Sequence, residues 1–189
     1  MKKKKMLILS CAGVLGEKEE CMAISQQAEL YELDVVRRVI SCKDDIPSII
    51  STVEPCKYIY LSAHGNADGF GDNKSIDMSW SSFAEILCDS NCLSEDTVVM
   101  LSCCYGGLAL VADTLFRSCD NISYVIGPRQ SLEPPQMHIS FGIFLFNVEY
   151  RSIDPIVACE KIKLATDIRF SCYDVEEWKN DEIIRSNTL

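Results

Sequence analysis

The chain has 189 residues, and 48% of them are hydrophobic, which is enough to build one continuous buried core. Its 18 basic and 28 acidic residues give a net charge of -10, which repels phosphate groups, so we expect neither nucleic acid nor an anionic membrane as a partner. Eleven unevenly spaced cysteines favour reduced thiols in the cytoplasm over a disulfide framework.

Strand-like and helix-like segments alternate along most of the chain. Short apolar runs rich in β-branched residues, typical of buried parallel strands, cover residues 6–12, 34–41, 57–63, 97–103 and 123–126. Segments with helical periodicity lie between them, at 19–33, 45–53, 80–91 and 106–117. This alternation predicts an α/β sandwich with right-handed crossovers and a mostly parallel central sheet flanked by helices.

The remaining segments predict smaller features of the same domain. Residues 69–79 contain glycines and an alternating apolar and polar pattern, which predicts a small hairpin or loop. Pro134 and Pro135 end a loop and begin a helix that runs through Tyr150, and a further helix covers 155–167. The last twenty or so residues are acidic and polar and predict a short strand or turn with a loose tail. We therefore expect a single domain over 1–189, with its core at about 5–170.

The sequence gives no sign of a membrane span or a cofactor. No window approaches the roughly 18 uninterrupted apolar residues of a membrane helix. Only two histidines are present, and no pair of Cys-x-x-Cys motifs accompanies them, so we expect no metal site. Neither a Gly-x-Gly-x-x-Gly nor a Walker loop follows the first strand, which argues against a nucleotide-binding or redox α/β protein. We expect no organic cofactor.

Two neighbouring strands of the predicted sheet end in residues with reactive side chains. The strand at 57–63 leads into His64 and Gly65, and the strand at 97–103 leads into Cys104. Ligands of parallel α/β sheets bind at the carboxyl ends of the strands, so this thiol and imidazole can form a nucleophilic pair. The backbone amides of Gly65 and Cys104 would form an oxyanion hole, and a helix that begins near Gly106 would favour the thiolate.

The spacing alone leaves other interpretations open. Cysteine is among the most buried residue types, and a histidine at a strand end is often a packed or hydrogen-bonded residue. Adjacent side chains on a strand point to opposite faces, so we expect Cys103 to be a small core residue rather than a partner of Cys104.

Two segments resemble the signature blocks of a known peptidase family. Tyr-Leu-Ser-Ala-His-Gly at 60–65 and Val-Met-Leu-Ser-Cys-Cys-Tyr-Gly-Gly at 99–107 are similar to those of the caspase-like cysteine peptidases, especially the CHAT branch that includes separase relatives. In that branch one hydrophobic strand ends in His-Gly, and a second ends in Leu-Ser-Ala-Cys with a glycine shortly after. On this pattern Cys104 takes the nucleophile position and Cys103 replaces the small residue before it.

The resemblance implies a caspase/hemoglobinase-like fold, a three-layer sandwich that hydrolyses peptide bonds through a thioester. It implies that Cys104 attacks the carbonyl and that His64 protonates the leaving amine. It further implies an endopeptidase that cleaves a specific cytosolic protein, in bacteria often in antiviral defence or programmed cell death. Activation by a protein partner, by a ligand or by cleavage in the 127–136 loop is expected on the same ground.

The sequence also departs from the family, which leaves specificity open. Ser102 stands where many metacaspases carry an aspartate, and the glutamine and arginine that flank the caspase cysteine are missing. Asp68 and Asp72 are candidates for holding a basic side chain and Arg129 for an acidic one, although each also fits an ordinary solvent-exposed residue. The alternative function is an inactive module that uses the same fold to hold a partner.

Overall fold

The computed structural model describes residues 3–11, 13, 15–72 and 74–186 as an α/β protein. In chain order its strands are β1 (Lys5–Cys11), β2 (Asp34–Ile40), β3 (Cys56–Ser62), β4 (His64–Gly65), β5 (Gly69–Gly71), β6 (Asp77–Ser79), β7 (Leu93–Ser102), β8 (Ile122–Pro128) and β9 (Phe170–Asp174). Its helices are α1 (Glu17–Leu30), α2 (Ile46–Ser51), α3 (Trp80–Asp89), α4 (Ala109–Ser118), α5 (Pro134–Leu145), α6 (Pro155–Thr166) and α7 (Val175–Ser186). A 3-10 turn (Lys43–Asp45) precedes α2, and a π-helical turn (Phe146–Tyr150) extends α5.

Six strands form the central sheet in the order β2-β1-β3-β7-β8-β9. The first five run parallel, and β9 is antiparallel to β8. Because parallel strands share one direction, the carboxyl ends of β1, β3 and β7 meet at the same edge of the sheet.

Helices cover both faces of this sheet. Residues with odd numbers in β1, β3 and β7, such as Leu7 and Leu101, pack with α2, α3, α4 and α7. Residues with even numbers, such as Tyr60 and Met100, pack with α1, α5 and α6. Successive side chains of a strand point to opposite faces of the sheet. Because both faces are covered by helices, both sets of side chains are apolar and the strands are continuous apolar runs. The predicted α/β sandwich with a mostly parallel sheet is confirmed.

A small antiparallel sheet, β4-β5-β6, leaves the end of β3 and confirms the hairpin predicted at 69–79. Phe70 of β5 packs against Trp80 and Phe83 of α3, with ring centroids 5.4 and 5.1 Å apart. His64 and Gly65 form its third strand, which the hairpin prediction did not include. The aromatic contacts therefore anchor β5, and β5 pairs with β4, the strand that carries His64.

Two predicted elements are wrong in their bounds. The helix expected from residue 106 begins at Ala109, because residues 103–107 form a turn first. At the C-terminus the expected short strand is confirmed as β9, whereas the loose tail expected after it is instead the helix α7. Val175 of α7 is buried, and the Trp178 indole N–H donates to Asp113 Oδ1 at 2.9 Å, so a few contacts hold this otherwise polar helix.

Across the described residues, no helix combines the length and the apolar character that crossing a membrane requires.

Candidate active site

The register of the central sheet places His64 and Cys104 side by side. Ser62 of β3 pairs with Ser102 of β7, and the Ala63 N–H donates to the Ser102 carbonyl at 3.2 Å. His64 and Cys104 each follow two residues after the paired serines. The structure thus brings together, at one edge of the sheet, two residues that are 40 positions apart in the sequence.

Gly65 fits against the backbone of Cys104 without room for a side chain. A Cβ at this position would lie 2.7 Å from Cys103 Cβ and 2.7 Å from the Cys104 carbonyl oxygen. Contacts this short do not occur between real Cβ atoms and backbone, so glycine is required here by close approach. The contact fixes the His64-Gly65 strand directly beside the Cys104 main chain.

Within the described residues, neither of the two predicted oxyanion-hole amides donates to an acceptor. The Asn66 N–H donates to the Gly69 carbonyl at 3.0 Å, so these two residues form a hydrogen-bonded pair of the hairpin. Bonded and non-bonded pairs alternate in an antiparallel hairpin, which makes Gly65 and Phe70 a non-bonded pair. The Gly65 N–H therefore points away from β5. The Cys104 N–H has no acceptor within the described part of the chain.

A tight turn follows Cys104. Tyr105 has a φ of 63°, a left-handed conformation that costs a residue with a side chain about 1–2 kcal/mol. The Gly106 N–H donates to the Cys103 carbonyl at 3.0 Å and closes the turn. At Gly107 a Cβ would lie 2.0 Å from the Gly127 carbonyl oxygen, so the turn passes directly over the end of β8.

The turn replaces the helix start that we expected near Gly106. Since α4 begins only at Ala109, Cys104 lies outside its first turn, and the field of a helix terminus falls off within that distance. Helix-dipole stabilisation of a Cys104 thiolate is thus not a feature of this site.

The Cys104 thiol is partly exposed and contacts the loop after β8. Its Sγ lies 3.3 Å from Ser131 Oγ and 3.8 Å from the Leu132 carbonyl oxygen. Among the described residues no hydrogen bond joins the thiol to the exposed His64 imidazole. Hydrogen bonds between catalytic groups are often long or poorly aligned in the absence of substrate. Cys103 is fully buried, and its thiol donates to the Leu61 carbonyl at 3.6 Å, as the prediction of a core residue required.

The loop after β8 is held against the Cys104 turn by backbone hydrogen bonds. The Tyr105 N–H donates to the Gln130 carbonyl at 3.3 Å, and the Gly107 N–H donates to the Pro128 carbonyl at 2.8 Å. Arg129 lies exposed in this loop, with its own N–H bound to the Arg169 carbonyl at 3.2 Å. The structure therefore brings the segment that carries Arg129 next to the candidate nucleophile.

The two predicted acidic pocket residues flank β5. Asp68 is exposed in the turn before this strand. Asp72 follows the strand, and its Oδ1 accepts backbone N–H groups from Lys74, Ser75 and Ile76, each at 2.9 Å. These bonds, led by that of Ile76, lower the pKa of Asp72 to about 2. Asp72 thus shapes the β5–β6 loop, and substrate binding by either aspartate stays a prediction.

A polar cavity of about 340 Å³ lies along the small sheet next to the imidazole. Its polar side chains come from His64, Asn66, Lys74 and Asp77.

A buried polar layer beneath His64 and Cys104 was not predicted from the sequence. Ser10, Ser62 and Ser102 stand in register on β1, β3 and β7, on the face that packs against α1. Each belongs to a Leu-Ser pair, at 9–10, 61–62 and 101–102, and is the last or next-to-last residue of its strand. This repetition was the signal available in the sequence. We call these three residues the serine row.

Two glutamates of α1 are buried over the serine row. Glu20 Oε1 accepts hydrogen bonds from Ser102 Oγ at 2.5 Å and from the Tyr60 hydroxyl. Burial raises the pKa of the Glu20 carboxyl to about 7, although these hydroxyl groups favour its charged form. Burial likewise raises the pKa of Glu17, which accepts a hydrogen bond from the Cys21 thiol at 3.5 Å.

Among the described residues, no group of three or more His, Cys, Asp or Glu side chains is arranged to hold a metal ion. Neither the models of known protein families nor the curated proteins include a match to this chain.

Proposed function

We propose that this chain is a cysteine endopeptidase with a caspase-like fold, in which Cys104 is the nucleophile and His64 its catalytic partner. The observation that carries the proposal is the contact of Gly65 with the Cys104 backbone. It sets a thiol, an imidazole and two amides at the carboxyl edge of a parallel sheet, where such sheets bind ligands.

The residues support a complete acyl-transfer sequence. His64 accepts the thiol proton, and the Cys104 thiolate adds to the carbonyl carbon of the scissile peptide bond. The Gly65 and Cys104 amides stabilise the oxyanion, an effect typically worth about 2.7–4 kcal/mol for one donor. The C–N bond then breaks as the imidazolium protonates the amine, and water hydrolyses the thioester that remains on Cys104.

The order of elements agrees with the resemblance. A strand leads to His64, α3 follows, β7 leads to Cys104, and α4 follows after the turn. On the strength of that resemblance we propose that the substrate is a specific protein, cleaved in antiviral defence or programmed cell death.

The contacts of the thiol favour a resting state. Because Cys104 Sγ lies against Ser131 and Leu132, we propose that a protein partner, or cleavage in the 127–136 loop, redirects it towards His64. The same observation supports the second candidate function, an inactive module that holds a partner.

The test compares wild type with Cys104→Ala, Cys103→Ala and His64→Ala on a fluorogenic peptide library, with candidate partners added. We expect His64→Ala to lose at least about 100-fold in kcat/KM and Cys104→Ala to lose all cleavage, because each removes a reacting group. Cys103→Ala is the matched control and should keep cleaving. Absence of cleavage by wild type, together with no pH-dependent labelling of Cys104 by a thiol probe, would favour the inactive module.

A further inference from the structure

The outer edge of the central sheet, at β2, is not covered by another strand of the described part of the chain. β2 pairs with β1 alone, and the Asp34 N–H donates to the Lys4 carbonyl at 2.9 Å. Backbone groups of successive residues in a strand point to opposite sides, so those of Val35, Arg37 and Val39 point away from β1. None of these three N–H groups donates to an acceptor among the described residues. β2 therefore presents a row of outward amides that a further strand could bind.

A groove of about 610 Å³ lies beside this edge, between β2 and α1. Arg37 and Val39 line it, since both pair with residues of β1 whose side chains face α1. Val39 is 62% exposed, and Met22, which lines the groove from α1, is 41% exposed. An extended chain that paired with β2 would cover these apolar side chains with its own. We call the outward side of β2 together with this groove the β2 edge.

The β2 edge is locally basic on a chain whose net charge is -10. Arg37 and Arg38 are exposed on the strand, and exposed Lys18 lines the groove. None of these three cations forms an ion pair within the described residues. The Arg38 guanidinium donates instead to the outward Arg37 carbonyl at 3.0 Å. Glu17 also lines the groove but is buried, so the exposed charges of the β2 edge favour carboxylates.

The same arginines disfavour a second copy of the chain as the occupant. Antiparallel pairing of two copies over the full length of β2 would place Arg37 opposite Arg37, and like charges directly opposite each other destabilise a sheet. Charged residues on edge strands commonly prevent such pairing. A strand with carboxylates opposite the arginines would instead pair with them, so the charges that exclude a second copy select an acidic partner.

We propose that the β2 edge binds an extended acidic segment of a partner protein as an added strand of the central sheet. Main-chain hydrogen bonds to the outward amides supply affinity, and the side chains supply specificity. Residues opposite Arg37 and Arg38 are Asp or Glu. Residues opposite the flanking Val36 and Val39 are apolar. The expected motif is therefore apolar-acid-acid-apolar, which is the same in both strand directions.

A peptide-binding assay tests the acidic segment. Wild-type protein is titrated into fluorescein-labelled decapeptides that share Ser and Thr flanks and carry Val-Glu-Glu-Val, Val-Gln-Gln-Val or Val-Lys-Lys-Val at the centre, and fluorescence anisotropy is recorded. We expect the glutamate peptide to bind at least about 10-fold more tightly than the glutamine peptide, because only it pairs with both arginines, and the lysine peptide to bind most weakly. Equal affinities for the glutamate and glutamine peptides, or no binding of the glutamate peptide at millimolar concentration, would overturn the proposal.

Two pairs of variants assign binding to the β2 edge. Arg37→Gln combined with Arg38→Gln should remove the preference for glutamate, whereas Arg151→Gln changes an exposed arginine elsewhere and should keep it. Val39→Pro removes an outward N–H and leaves the bonds to β1 in place, a substitution that edge strands tolerate, and should abolish binding. Val39→Thr keeps that N–H and should bind like wild type. Unchanged binding by Val39→Pro would contradict strand addition.

Two further measurements keep the proposal testable. Should Val39→Pro fail to fold, N-methylation of the four central residues of the glutamate peptide removes the peptide's own donors and should abolish binding to wild type. Sedimentation of the protein alone tests the other occupant: a wild-type dimer that Val39→Pro converts to monomers would overturn the proposal in favour of self-pairing. The binding assay requires no cleavage, so its outcome is independent of the proposed peptidase function.

Discussion

Glu20 should make the stability of the protein fall as the pH rises. Its folded-state pKa of about 7 is raised above the usual 4.5, so the folded state holds a proton that the unfolded state releases. The contribution of Glu20 to the free energy of unfolding is therefore greatest below pH 4.5 and is lost as the pH rises through 7. Relative to Glu20→Gln, wild type should lose about 2 kcal/mol of unfolding free energy between pH 5 and pH 8, measured by urea denaturation.

The neighbours of Glu20 define the control for this prediction. Acidic groups near it on α1 are Glu17 and Glu19. Glu133, which caps α5, and His138 of α5 line a cavity of about 420 Å³ together with Glu20. The other groups that face it are Cys21 of α1 and the hydroxyls of Tyr60, Ser62 and Ser102. Glu29→Gln should keep the wild-type pH dependence. Parallel stability curves for wild type and Glu20→Gln would contradict the assignment of a raised pKa to this residue.

Gly65→Ala should disable the site and leave the fold largely intact. The added methyl group would collide with Cys103 Cβ and the Cys104 carbonyl oxygen, so the two strand ends must separate. We expect kcat/KM to fall at least about 100-fold, because misplacing reacting groups by 1 Å has that effect. Gly142→Ala is the control, since its Cβ would meet only the flexible end of Gln27. Full activity in Gly65→Ala would contradict the proposed site.

The sequence indicated the reactive residues but not the acid beneath them. His64 and Cys104 stand out because they follow apolar strands, a pattern that is visible without coordinates. Glu20 lies in a helix with many polar residues, where a glutamate normally faces water. The buried Glu20 carboxyl is stabilised by hydroxyl groups of two strands, Tyr60 of β3 and Ser102 of β7. The alignment of the serine row can be seen only when the register of the strands is known.

At the scale of elements, the bounds of β1 and β2 were predicted closely, whereas β7 begins at Leu93, four residues before its predicted start. The bounds of β1 and β2 differ from the predicted ranges by one residue at each end or less, because β1 is almost entirely apolar and β2 is rich in β-branched residues. The start of α4 was wrong because helical periodicity continues through Gly106, whereas the chain must first pass over Gly127. Periodicity reports which residues are apolar and does not report close backbone approaches.

The helix α7 should contribute to stability through one aromatic residue. Trp178 packs against Phe116 with ring centroids 5.7 Å apart, and its indole N–H donates to Asp113. Trp178→Ala should lower the unfolding free energy by about 2 kcal/mol, less than for a fully buried tryptophan, because this side chain is only partly buried. Thermal denaturation measures the loss. Lys179→Ala, at the exposed next position, should change stability by less than about 0.5 kcal/mol. Equal effects of both changes would show that α7 is not docked through Trp178.

At the scale of the whole molecule, the sheet joins the two halves of the site. The small sheet and α3 position His64 on one side, while β7 and the loop after β8 position Cys104 and its surroundings on the other. The sheet contributes the register that aligns them, since β3 and β7 are direct neighbours. Any change that shifts this pairing should therefore displace His64, Cys104 and the serine row together.

The distribution of the eleven cysteines gives a test of the whole fold. Seven are buried: Cys11, Cys21, Cys56, Cys92, Cys103, Cys119 and Cys159. Burial raises the thiol pKa of several of them, to about 12 for Cys11, so little reactive thiolate forms in the folded protein. Iodoacetamide followed by peptide mass spectrometry should therefore modify Cys42, Cys88 and Cys104 first. The buried seven, and the partly buried Cys172, whose pKa burial also raises, should react only after unfolding in guanidinium. Cys104→Ala should remove one rapidly modified site, whereas Cys103→Ala should remove none. Rapid modification of Cys103 in the native protein would contradict the strand register, because that register points its side chain into the core.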